Sequence, residues 1–123
     1  MGIRFDDKTP IYIQIMDYIK QGIVSGKLNR GDKLPSVREM ATKFRVNPNT
    51  LQRAYQELER QGITYTQRGT GTFVKEDENM VDELKNNLAS NIVNSFIEGM
   101  KKIGFSNEDI IKVISKKLKE ENN

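Results

Sequence analysis

Apolar residues at Tyr12, Ile15, Met16, Ile19 and Ile23 fall 3, 1, 3 and 4 positions apart. That spacing lines one face of a helix. Thr9-Pro10 is expected to open it, with Thr9 as N-cap and Pro10 in the first helical position, and Gly26 to stop it. Leu28 to Pro35 reads as a connection rich in turn formers, centred on Gly31-Asp32. Ser36-Val37-Arg38-Glu39 then has the form of a capping box and predicts a short helix from Val37 to Phe44. Its inner face would hold Val37, Met40, Ala41 and Phe44, with Arg38 projecting from another face. After a short turn at Arg45-Val46, Asn47-Pro48 starts a third helix by cap-plus-proline logic. Leu51, Ala54, Tyr55 and Leu58 form its apolar stripe, and Gly62 ends it.

Periodicity then shortens. Ile63 to Gln67 and Thr72 to Val74 are strand candidates, joined by Arg68-Gly69-Thr70-Gly71 as a hairpin tip. Two glycines there permit positive φ and close approach to another molecule. Lys75 to Asn79 is a polar junction. Beyond it, Val81, Leu84, Leu88, Ile92, Phe96, Met100 and Ile103 recur every three or four residues, widened by Val93 and Ile97. This predicts a long helix from Asn79 to Ile103 that Gly104 terminates. Ser106 with Asp109 makes a second capping box, opening a helix that turns Ile110, Ile111, Ile114 and Leu118 inward. Glu120 to Asn123 should fray. The fold class is therefore mainly α with a small β-hairpin wing: residues 1–76 form one domain and residues 77–123 a two-helix tail.

Composition narrows the chemistry. The 123 residues contain no Cys and no His, which removes disulfides, Cys/His zinc sites, Cys nucleophiles and His bases. No catalytic, metal or cofactor site is expected, and the chain reads as a non-enzyme. Asp6 and Asp7 stand where the apolar run of a signal peptide would begin. No apolar run approaches the ~20 residues that cross a bilayer, so a cytoplasmic, membrane-free protein is expected. Apolar residues make up only 36% of the chain, and so thin a core would gain from a second copy. Charge is uneven: residues 1–76 hold 13 basic and 8 acidic residues, residues 77–123 hold 7 and 9. The basic first part fits a polyanionic partner, although ordinary solvated surface explains the excess about as well.

Helix, helix, tight turn, helix and two-stranded wing, in that order, make a winged helix-turn-helix. The first turns of such a third helix enter the major groove, where Asn and Gln pair with adenine and Arg with guanine. Leu-Pro-Ser-Val-Arg-Glu-Met-Ala, Val-Asn-Pro-Asn-Thr-Leu and Arg-Gly-Thr-Gly-Thr-Phe-Val, spread over residues 34–74, resemble the GntR family of bacterial transcription regulators. The likeness extends back to Pro10. A tail of two helices, in place of the family's large effector domains, is similar to its short YtrA-type members. In those the tail serves mainly for dimerisation. Many other members carry Ser/Thr-Arg where Asn47 and Pro48 stand, and a basic residue at Gln52, so base preference does not transfer from them.

The resemblance implies a homodimeric repressor on a pseudo-palindromic operator of double-stranded DNA, controlling a neighbouring transporter operon of the ABC type. It implies that Arg38 contacts phosphate or a base near the groove edge, with Ser36 beside it. Asn47, Pro48, Asn49 and Thr50 would lie at the recognition-helix start. Gln52 and Arg53 would read bases or anchor the backbone. Arg68, Gly69, Thr70 and Gly71 would approach the minor groove. Val81, Leu84, Leu88, Ile92, Phe96 and Met100, with Ile110 and Ile114, would form the dimer seam. Plainer roles stand beside these. Ser36 and Asn47 are first of all helix caps, and Arg38 has Glu39 and Asp32 as possible ion-pair partners. Gln52 and Arg53 also suit a plain helix surface. Tyr55 and Tyr65 read as packing residues, Phe96 and Met100 as dimer core, and Lys116, Lys117 and Lys119 as a solvated face. The alternative function is a winged helix that binds duplex without sequence preference or serves protein interaction. An unknown small-molecule effector would have to bind between the tail helices or at the seam.

Overall fold

The computed structural model describes residues 4–122. Its elements are α1 (Ile11–Val24), α2 (Val37–Phe44), α3 (Pro48–Arg60), β1 (Thr64–Gln67), β2 (Gly71–Val74), α4 (Glu78–Lys102) and α5 (Asn107–Glu121). The chain divides into two units, one up to Lys85 and one from Asn86.

In the first unit α1 and α2 both pack on α3. The apolar stripes meet there: Ile15, Ile19 and Ile23 from α1, Met40, Ala41 and Phe44 from α2, and Leu51, Ala54 and Leu58 from α3 are all buried. Val37, expected on the inner face, is only half-buried. Tyr18 meets Phe44 edge-on at 5.2 Å. Tyr55 is buried, and its hydroxyl donates to the Pro35 carbonyl at 2.7 Å. Desolvation, helped by the Glu39 charge, pushes the Tyr55 phenol well above its ordinary range, so it stays a neutral donor.

Three local expectations need correction. Pro10, not Thr9, is the N-cap of α1: its ψ of 142° places it outside the helix, and its carbonyl accepts the first helical bonds, from Ile13 and Gln14. Thr9 contributes no cap. The lead-in is held instead by Gln14, whose side-chain amide donates to the Thr9 and Asp6 carbonyls at 2.7 and 3.0 Å. Second, the connection before Ser36 is more than a turn. Leu34 donates to the Thr72 carbonyl and Val74 to that of Asp32, both at 2.8 Å, and Lys33 forms an antiparallel bridge with Phe73. This bonding ties the segment along β2 and buries Leu34. Third, α5 stays helical through Glu121 where fraying was expected, while Asn123 lies outside the described residues.

The hairpin pairs Thr64 with Val74, Tyr65 with Phe73, Thr66 with Thr72 and Gln67 with Gly71. Each strand differs from expectation only in its first residue: Ile63 precedes β1, and Gly71 joins β2. Tyr65 stacks on Phe73 at 5.5 Å yet remains exposed, since the pair lies on an open sheet face.

In the second unit Gly104, at φ 94°, follows the end of α4, and Ser106 caps α5 through the Ser106–Asp109 box. Ile110 is buried. Ile111, Ile114 and Leu118, expected to face inward, are exposed: among its described residues α5 buries Ile110 alone. Replacing Tyr55 with Phe leaves the Pro35 carbonyl without its donor. We expect a loss of about 1–2 kcal/mol in unfolding free energy, read as a lower urea midpoint at unchanged slope.

Candidate nucleic-acid interface

The residues singled out along α2, α3 and the wing lie on the first unit's surface. Around α2 the capping box is complete. The Ser36 hydroxyl accepts from the Glu39 amide and the Glu39 carboxylate accepts from the Ser36 amide, each at 3.1 Å. These bonds, backbone then side chain, hold the Glu39 carboxyl below its ordinary value, with a smaller contribution from Lys33. Asp32 is likewise engaged, accepting from the Asn29 amide at 2.8 Å. Arg38 is exposed and forms no ion pair with either acid among the described residues.

The turn into α3 needs one left-handed residue, and Arg45 supplies it at φ 56° and ψ 47°. Val46 then donates back to the Ala41 carbonyl at 3.0 Å. Asn47 caps α3, its side-chain oxygen accepting from the Asn49 amide at 2.7 Å, with Pro48 in the first turn. Burial of Leu51, Ala54, Tyr55 and Leu58 turns the opposite face outward. Pro48, Asn49, Gln52 and Arg53 are exposed and Thr50 is half-exposed.

Arg53 is less free than its neighbours. Its guanidinium carbon lies 3.9 Å from the centroid of the Tyr12 ring, and its Nη2 donates to the Tyr12 hydroxyl at 3.3 Å. The periodicity of α1 counts Tyr12 only as part of an apolar face. No local signal marks its second role, because its partner is 41 residues away.

At the wing tip Thr70 donates to the Gln67 carbonyl at 2.9 Å, and Gly69 adopts φ 78° with open space where a side chain would begin. Arg68, Gly69 and Thr70 are exposed. Gly71 differs. Its φ of 138° is one that side-chain-bearing residues rarely adopt, which favours glycine, and the Lys33 stem passes over it, with Cε 2.7 Å from where a Cβ would stand. Lys33 is thus a cation at the wing that the motif reading passed over.

The residues expected at a dimer seam divide in two. Leu84 belongs to the first unit and is already buried there, and Val81 is half-buried. In the second unit, Ile92, Val93, Phe96 and Ile97 of α4 and Ile110, Ile111 and Ile114 of α5 line an apolar groove of about 650 Å³. Ile92 is 68% exposed, while Leu88 and Met100 are half-buried. Among the described residues no group of acidic side chains is arranged to hold a metal ion, and no helix is long and apolar enough to cross a membrane.

Residues 11–74 match the family described as bacterial regulatory proteins, gntR family. The chain is 47% identical to the uncharacterized HTH-type transcriptional regulator YhcF of Bacillus subtilis, over 93% of this chain and 94% of that protein. It is 43% identical to the HTH-type transcriptional repressor YtrA of the same organism, over 75% of each. A solved GntR family transcriptional regulator from Listeria monocytogenes superposes with TM-score 0.83 at 50% identity, over 91% of this chain and 98% of that one. A more distant structure, the DNA-binding domain of AraR in complex with operator ORX1, superposes with TM-score 0.54 at 29% identity, over 60% of this chain and 94% of that one.

The lowered Glu39 carboxyl has a pH consequence. Its folded value lies below the ordinary 4.5, so its contribution to stability is complete above that pH and is lost as pH falls through the folded value. Glu39→Gln should therefore flatten the acid limb of stability against pH below 4.5. Equilibrium urea unfolding of both proteins across that limb checks it.

Proposed function

This chain belongs to the gntR family of bacterial regulatory proteins, and from that premise we propose that it is a cytoplasmic homodimeric repressor that binds a pseudo-palindromic DNA operator sequence-specifically. The observation that carries the reading is the outward face of α3: Asn49, Gln52 and Arg53 are polar, exposed and placed in the first turns of a helix whose other face is buried. Such side chains suit base edges, and each good bidentate pair discriminates by about 1–3 kcal/mol. Arg38 and Arg68 suit phosphates, where cations release counterions and make affinity fall with salt. The uncovered groove of the second unit supports the dimer, because an isologous contact lets one apolar face cover its own copy. Similarity to YtrA, itself described as a repressor, supports repression here. Control of a neighbouring ABC-type transporter operon rests on the likeness to YtrA-type members alone.

Fluorescence-anisotropy titration with the DNA upstream of the chain's own gene tests the reading. At ~150 mM salt, we expect two chains per site and affinity at least ~10³-fold above random duplex. Equal affinity for random duplex from every tested region favours the non-specific alternative. Arg38→Ala and Arg68→Ala should each weaken operator binding and lower the salt slope by about one, with the dimer intact. Unchanged affinity in both variants removes their assignment. Replacing Leu88 and Ile92 together with Asp should give monomers that bind weakly. A dimer mass surviving in light scattering refutes the tail as the seam.

A further inference from the structure

Tyr12 stands in the first turn of α1, on a helix anchored by buried Ile15, Met16 and Ile19. Arg53 leaves α3 from the face opposite its buried stripe, and α1 packs on α3. Both members of the pair therefore sit on elements fixed by a common core. The contact between them is double: the cation lies over the ring at 3.9 Å, and Nη2 donates to the phenol oxygen at 3.3 Å. A free arginine has many rotamers to lose on meeting a ligand, whereas this one is already restrained.

The carboxylate best placed to compete is Glu57, one turn further along α3. Its Oε2 already accepts two N–H groups of Arg60, at 3.0 and 2.6 Å. Those bonds dominate the lowering of the Glu57 carboxyl, and the Arg53 charge adds the smallest contribution. Among the described residues Nε and Nη1 of Arg53 have no hydrogen-bond partner.

We propose that Tyr12 is a positioning residue for DNA recognition. It holds the Arg53 guanidinium in one plane, so that the N–H of Nη2 left free by Tyr12, with Nε or Nη1 on the same edge, meets a pair of acceptors as a preset fork. A guanine edge and a phosphate both offer such acceptors. The inference rests on Arg53 being a DNA contact, as proposed above. Preorganisation acts by reducing the ordering that binding would otherwise require.

The test uses the full chain and the tightest duplex that the wild-type protein enriches from randomised DNA, with a scrambled duplex as control. Tyr12→Phe, Tyr12→Leu, Arg53→Ala and the Leu/Ala double variant are titrated by anisotropy, after thermal unfolding confirms that each is folded. Arg53→Ala should weaken binding by about tenfold, and Tyr12→Leu by about threefold to tenfold, the cost of ordering one rotamer-rich side chain on binding. Tyr12→Phe, which keeps the ring, should fall between Tyr12→Leu and wild type. The double variant should bind no more weakly than Arg53→Ala alone. Single-base-pair substitutions across the site separate the two acceptors. For a guanine edge, Tyr12→Leu and Arg53→Ala relax the same base pair. For a phosphate, both weaken all sequences alike and lower the salt slope together. Wild-type affinity in Tyr12→Leu, or a loss that multiplies fully onto that of Arg53→Ala, overturns the positioning role while leaving Arg53 a contact. Wild-type affinity in Arg53→Ala removes the premise, and failure to enrich any duplex removes sequence-specific binding itself; either takes the role of Tyr12 with it.

Discussion

The exposed chemistry of the first unit depends on the burial of one stripe of α3. Leu51, Ala54 and Leu58 are sealed from solvent, and Tyr55 beside them is bolted by its hydroxyl to the carbonyl of Pro35. A thirteen-residue helix with one face committed in this way has no rotational freedom left. Asn49, Gln52 and Arg53 must point outward, because helical geometry places them across the axis from the stripe. The Tyr55 bond also ties α3 to the residue just before Ser36. The start of α2, which carries Arg38, is therefore held to the same helix that carries the candidate base-reading residues.

Local hydrogen bonds then decide which charges remain available. Glu39 is taken by the amide of Ser36, Asp32 by that of Asn29, and Glu57 by Arg60. Each of these acids is hydrogen-bonded within three residues of itself, and among the described residues none forms an ion pair with Arg38, Arg68 or Lys33. The basic excess of the first part of the chain is thus expressed outward, at Arg38, Arg68 and the lysine that crosses the wing. A capping box is usually read as a device for helix stability. Here it also engages the carboxylate next in sequence to Arg38, which forms no ion pair with it.

Helical periodicity made most of this legible in the sequence. The stripes of α1 and α3, the Ser36 and Ser106 boxes and the Asn47-Pro48 start depend on residues within one turn of each other, and they stand where the pattern puts them. The likeness to GntR regulators, carried by residues 34–74, is upheld by a match over residues 11–74. What escaped depends on partners distant in sequence. Lys33 lies in a stretch of turn formers, and only its bridge to Phe73, forty residues on, gives it a place in the wing. Tyr12 looks like one more apolar position until Arg53 arrives over its ring. Pro10 was misplaced by one residue for a local reason: proline suits both the cap and the first turn, and its ψ, which composition does not specify, decides between them.

The second unit poses a different physical problem. Among its described residues only Ile110 is buried, while Ile92, Phe96, Ile111 and Leu118 face solvent. Two helices connected at Gly104 can shield one stripe each, and this sequence carries more apolar surface than that. An unshielded apolar face of this kind is normally covered by something. In the proposed dimer a second copy would be the cover, because a two-fold axis sets the groove against itself. The same axis has a consequence at the other unit. It duplicates α3 and the wing, and two linked weak contacts on neighbouring half-sites bind far more tightly than either alone when their spacing matches the DNA. In the proposed dimer the apolar residues of α4 and α5 would therefore contribute to operator affinity indirectly, through the effective concentration at which the second recognition helix is presented.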